Sequence, residues 1–248
     1  MPKSAPRSSA VSEPTILYAV DGPVARLTLN RPERINALNL AMRDDLFQAL
    51  MAFADDPSIK VAVISGRGDR GFCAGADLIE FGTAPSQDIA RRARQRRDVW
   101  GLLAGLRKPM VAALHGYVIG AGVEIAGLCD IRIASEDAVF ALPEVTIGMI
   151  PGAGGTQTFP RAVGLGTAMA RLLAERSDRM TARQALSNGF VHRVVPGAEL
   201  ERTADEIAAA LARRGAPVLT ALKTAVLDGL DVPMEAGLSL ERRLAAAL

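Results

Sequence analysis

The chain has 248 residues, 49% of them hydrophobic and 23% charged, the balance of an ordinary globular protein and far from that of a disordered one. Its formal net charge of +2 provides no protein-wide field to draw it onto nucleic acid or a membrane, so any recognition of an anion has to be local. The two cysteines, Cys73 and Cys129, belong to no C-x-x-C pair, which argues against a disulfide framework and fits a reducing compartment.

Residues 1–14 are rich in Ser and Pro and hold no apolar run of signal-peptide length, so they are expected to form a flexible tail. No apolar run elsewhere has the length of a membrane span, and a soluble, cytoplasmic protein is expected. Asp21-Gly22-Pro23 is a turn between two β-prone runs, which predicts an opening hairpin. Asn39 can cap a helix whose apolar residues Met42, Leu46, Ala49, Leu50 and Phe53 recur at helical spacing, with Asp55-Asp56-Pro57 ending it. Short apolar strands follow at 61–65 and 110–114, on either side of an Arg-rich helix predicted over about 88–106, and further strands are expected at 131–134 and 139–141. This alternation predicts an α/β core over 15–195. From there the composition turns helical. Thr181 and Gln184 make a capping box, Leu200, Ala204, Ile207, Ala208 and Leu211 share one helix face, and two segments at 217–230 and 233–247 each open on a proline, so 196–248 is expected to be a helical region.

Several motifs carry possible chemistry. Residues 66–71 match G-x-G-x-x-G after a strand, but the next residues, Phe72-Cys73-Ala74-Gly75-Ala76-Asp77, have no helical periodicity, which argues against a dinucleotide site. Gly152 to Gly155 lacks the lysine of a phosphate loop and reads as a turn before a helix. More informative are two segments of small residues, Ala74 to Asp77 and Gly120 to Glu124, each downstream of an apolar strand. A ligand can approach such backbone closely, and a helix starting near Ala121 would offer unpaired N–H groups; the same glycines could equally serve tight packing. Glu124 lies in an apolar run and Glu144 follows Leu142-Pro143; burial would raise either carboxyl toward the range useful for proton transfer, whereas a surface position would leave it ordinary. His115 and His192 have no third ligand at metal spacing, so no metal site is expected. The arginines at 91, 92, 94, 96 and 97 read most simply as a solvated basic face, with contact to a ligand's phosphates or RNA binding as alternatives.

Taken together, Asn30-Arg31-Pro32, Asn36-Ala37-Leu38, Phe72 to Leu78, His115-Gly116-Tyr117, Gly120 to Ala126, Cys129-Asp130, Phe140 to Glu144 and Gly148 to Gln157 resemble the enoyl-CoA hydratase/isomerase (crotonase) superfamily, in its order and near its spacing. The resemblance implies an α/β fold, a crotonase-like spiral of β-β-α turns with a C-terminal helical trimerisation region, assembled as a homotrimer or homohexamer. It implies an acyl-CoA thioester as substrate, with CoA a part of it rather than a cofactor, and neither membrane nor nucleic acid as partner. The backbone amides of Ala76 and Ala121 would form an oxyanion hole, Glu124 would activate water, and Glu144 would deliver a proton to the α-carbon of a trans-2-enoyl-CoA. Arg34, Ala37, Ala74, Ala76, Asp77, Leu78, Ile79 and Gly120 would hold the thioester and its CoA. Keeping both carboxylates points to hydration over Δ3-Δ2 isomerisation, in which one suffices. Relatives usually continue with a further short helix past the position matching Leu248, where this sequence stops.

Overall fold

The computed structural model describes residues 13–80, 97–175 and 178–248. Most of the expected tail and the arginines at 91–96 fall outside these.

Six strands build the main sheet in the order β1 (Ile16–Asp21), β2 (Val24–Leu29), β3 (Val61–Gly66), β4 (Met110–Leu114), β6 (Ile131–Ser135) and β9 (Arg193–Val195). The opening hairpin β1–β2 is antiparallel, as Asp21-Gly22-Pro23 predicts, and every later pairing in this sheet is parallel. Because side chains alternate along a strand, the continuous apolar runs feed two cores at once. Ala62, Ile64, Ala112 and Leu114 face one core, while Val61, Val63, Val111 and Ala113 face the other.

Helix α1 (Leu40–Asp55) covers the first face with Met42, Leu46, Leu50 and Phe53, all fully buried. Burying each side chain of this size stabilises the fold by about 1.5–3 kcal/mol. Asn39 caps α1 by accepting a hydrogen bond from the Met42 amide at 2.8 Å. The helix expected over 88–106 is seen as α2 (Val99–Gly105); Asp98 caps it by accepting from the Gly101 amide, so residues 97–98 are not helical.

A second sheet has three strands in the order β5 (Tyr117–Ile119), β7 (Val139–Ala141) and β8 (Met180–Thr181). Strand β5 leads into α3 (Ala121–Gly127), and β7 is followed by α4 (Gly155–Val163), α5 (Leu165–Leu172) and, after β8, α6 (Ala182–Ser187). The capping box of Thr181 and Gln184 starts α6 as predicted.

The second face of the main sheet is covered by α7 (Leu200–Ala212), through Leu200, Ala204, Ala208 and Ala212. The last two helices, α8 (Ala216–Leu230) and α9 (Met234–Ala246), pack on each other, and Leu222, Val226, Leu230 and Met234 stay exposed. No helix among the described residues is long and apolar enough to cross a membrane.

Candidate active site

Strand β5 runs directly into α3, and Gly120 makes the corner. Its φ of +52° suits glycine, and a Cβ there would come 2.7 Å from Glu144 Oε1, so the residue type is demanded by backbone and neighbour alike. Beside this corner runs Cys73 to Ala76, tied in by bridges from Cys73 to Val118 and from Leu38 to Ala76. Contact here is close: a Cβ on Gly75 would lie 3.1 Å from the Ile119 carbonyl oxygen and 3.8 Å from the Ala121 amide nitrogen. The two small-residue segments are thus brought together at one point. Neither the Ala76 nor the Ala121 amide donates to an acceptor among the described residues, and Ala121 keeps an ordinary negative φ at the start of its helix. Two free N–H groups side by side suit an oxygen on which negative charge develops.

The loop before this site is held by two polar clusters. Asn36, fully buried at φ +53°, accepts from the Arg31 amide and donates to the Arg67 and Gly71 carbonyls. Asp77 pairs with Arg31 at 3.1 Å, and its other oxygen accepts from the Ile79 amide.

Glu124 lies in the first turn of α3, almost wholly buried. Its Oε1 accepts from the Ala153 amide at 2.7 Å and the Gly155 amide at 3.0 Å, at the start of α4. Burial raises its pKa, and the amides of Gly155 and Ala153 oppose the rise by favouring the charged form. Its Oε2 accepts no hydrogen bond among the described residues. Glu144 opens a 3-10 turn, Glu144–Ile147, on the far side of the corner, and its buried Oε2 has no hydrogen-bond partner there. Burial pushes its carboxyl up to about 7, against its own backbone amide and helped by the neighbouring charge of Glu124.

A cavity of about 310 Å³ opens at this point. Of the residues singled out in the sequence, Ala74, Ala76, Leu78, Gly120 and Glu144 line it. Ala121 and Glu124 are not among the lining residues; Ala121 directly follows Gly120, which is. Arg34 is exposed outside it, the Ala37 carbonyl and the Asp77 carboxylate are both taken up by Arg31, and Ile79 is exposed on the surface beyond. Structure adds Tyr117, Ile119, Ala141, Met149 and Arg179 to the lining. Tyr117, Ala141 and Met149 stand in the motifs that carry the family resemblance, though with no role assigned to them there. Arg179 had no local signal, since β8 brings it in from far along the chain. His115 and His192 serve structure: the His115 ring meets the Gly68 carbonyl, and His192 Nδ1 accepts from the Arg132 amide. The described residues contain no cluster of His, Cys, Asp and Glu that could hold a metal.

Two sheets, a helical C-terminal region and, at the mouth of one corner, two amides unpaired among the described residues make an α/β fold with a site for a small acceptor oxygen. The family model described as enoyl-CoA hydratase/isomerase matches residues 20–248. The chain belongs to that family. It is 43% identical to the 2,3-dehydroadipyl-CoA hydratase of Escherichia coli K12, over 89% of this chain and 85% of the relative. It is 38% identical to the mitochondrial enoyl-CoA hydratase of Pongo abelii, over 89% of this chain and 74% of the relative. Among solved structures, the enoyl-CoA hydratase of Bacillus anthracis superposes with a TM-score of 0.88 at 34% identity, covering 94% of this chain and 90% of the other.

Proposed function

We propose that this chain is an enoyl-CoA hydratase, adding water reversibly and syn across the double bond of a trans-2-enoyl-CoA to give the 3-hydroxyacyl-CoA. The observation that carries the reading is the pair of carboxyls at one corner, Glu124 buried and supplied with two amide donors, Glu144 half-buried with no partner on its buried oxygen. In this reading the thioester oxygen sits between the Ala76 and Ala121 amides. As the enolate forms, each donor stabilises the developing charge, and the loss of one such donor costs about 3–4 kcal/mol of barrier lowering. Glu124, fixed by Ala153 and Gly155 through Oε1, turns Oε2 to the attacking water and takes its proton. Glu144, poised near neutrality, donates its proton to the α-carbon. Water addition leaves no electrons to be transferred, so the reaction needs no redox cofactor. Proton transfer and amide donation account for its steps without a metal.

The substrate in this reading is an acyl-CoA thioester held by its CoA portion. The exposed apolar residues of α8 and α9 fit a homotrimeric or homohexameric assembly, and a cytoplasmic enzyme fits the reduced, buried cysteines. Incubation with crotonyl-CoA, followed by loss of enoyl-thioester absorbance and identification of the product, tests the function. 3-Hydroxybutyryl-CoA is the expected product. Conversion of a 3-enoyl-CoA to its 2-enoyl isomer, with no hydration of crotonyl-CoA, would replace hydratase by isomerase.

A further inference from the structure

The floor of the cavity is one face of the three-stranded sheet. Alternation turns Tyr117 and Ile119 of β5, Ala141 of β7 and Arg179, just ahead of β8, toward the cavity, while Val118, Phe140 and Met180 are buried on the opposite face. Among the described residues Arg179 is the only cation lining this otherwise largely apolar space, and it stands at the solvent-exposed edge of it. Its guanidinium lies 4.9 Å from the centre of the Tyr117 ring, which orients the flat group. No described carboxylate neutralises it: the adjacent Asp178 pairs with Arg171 at 2.8 Å, and the buried oxygen of Glu144 has no partner. A guanidinium fork held against an apolar chamber matches a carboxylate, which it can bind through two parallel hydrogen bonds.

Resting on the hydratase reading, we infer that the cavity favours enoyl thioesters whose acyl chain ends in a second carboxylate, and that Arg179 is the specificity-determining residue that receives it. Length agrees with this. From the Ala121 amide back along β5 to Tyr117 is about 10–13 Å at the rise of a strand. An extended six-carbon chain covers about 6 Å between its end carbons, and an ion pair of about 4 Å closes the remainder. A four-carbon enoyl group falls short of Arg179. A neutral chain of six carbons reaches it but offers the exposed guanidinium no charge to pair with.

The test compares trans-2-hexenoyl-CoA with the thioester of the same chain ending in a carboxylate, trans-2-hexenedioyl-CoA, on the full chain and on Arg179→Met. Wild type is expected to have the higher kcat/KM on the dicarboxylic thioester. In Arg179→Met the ratio of dicarboxylic to neutral kcat/KM should fall by about 10- to 100-fold, the size of a hydrogen bond to a charged group, with Arg179→Lys recovering part of it. An unchanged ratio overturns the inference, and so does an equal loss on both substrates, which would place Arg179 on a CoA phosphate. Hydration of the neutral thioester by the same preparations shows that the hydratase reading stands in either case. If wild type hydrates neither thioester, that reading falls and the preference with it.

Discussion

Glu124 and Glu144 are both drawn out of water at the same corner, yet their surroundings differ. Glu124 grows from the first turn of α3, and the start of α4 aims two amides at one of its oxygens. Glu144 begins a short 3-10 turn whose following residues, Val145 to Ile147, are exposed, and its buried oxygen meets no donor. Burial lifts both carboxyls, and two amides, of Gly155 and Ala153, oppose the rise at Glu124, where Glu144 has only its own backbone amide. In the proposed reading, the richer supply of donors suits Glu124 to act as the base and the poorer one suits Glu144 to act as the acid.

The largest effects are expected from removing either exchangeable proton. Glu124→Gln and Glu144→Gln keep the reach of the side chain, and each should lower kcat by about 10²–10⁴-fold with little change in KM. The double variant should be barely worse than the poorer single one, because groups acting on one substrate as a unit are not additive. Near-normal hydration by Glu124→Gln alongside a crippled Glu144→Gln would erase the distinction between the two and leave a one-carboxylate isomerase.

A smaller loss is expected where the comparison is blind, at the Ala121 amide, which in the proposed reading holds the thioester oxygen of the substrate that both carboxyls act on. Proline suits the first position of a helix but has no N–H, so Ala121→Pro should lower kcat/KM by about 10²–10³-fold while the far-ultraviolet circular dichroism stays unchanged. Ala121→Gly keeps the N–H and should stay close to wild type. Equal losses in the two variants would assign Ala121 to packing.

The mildest effect is on stability, and it sharpens the contrast directly. The folded-state pKa of Glu144 is raised from the ordinary value of 4.5 to about 7, so between these values the folded protein holds a proton that the unfolded chain has released. The resulting stabilisation is complete below about 4.5 and is lost as pH rises through about 7. Glu144→Gln cannot ionise and should be more stable than wild type by about 1–3 kcal/mol at pH 8, with no gain at pH 4. Urea unfolding at both pH values measures this. An equal gain at pH 4 would trace the effect to the new amide's hydrogen bonds instead of to the charge.

Sequence by itself determined the local elements of this protein. The turn at Asp21-Gly22-Pro23, the cap at Asn39, the face of α1 and the capping box of α6 each rest on neighbours within a few residues, where spacing and backbone chemistry decide the outcome. The small residues at 74–77 and 120–122 and the acid set in an apolar run were visible for the same reason, and the family resemblance named their roles. The helix expected over 88–106 was misjudged at 97–98 because Asp98 competes for the backbone as a cap. Only the tertiary structure decided which of these residues meet. Asp77 was visible as a candidate for holding CoA, and the fold fixes its carboxylate against Arg31. Arg179 carried no local mark, and the fold sets it on the cavity floor beside Tyr117. Both outcomes hang on pairings between segments far apart in the chain. Such pairings depend on how whole faces bury against each other, which no short stretch of residues contains.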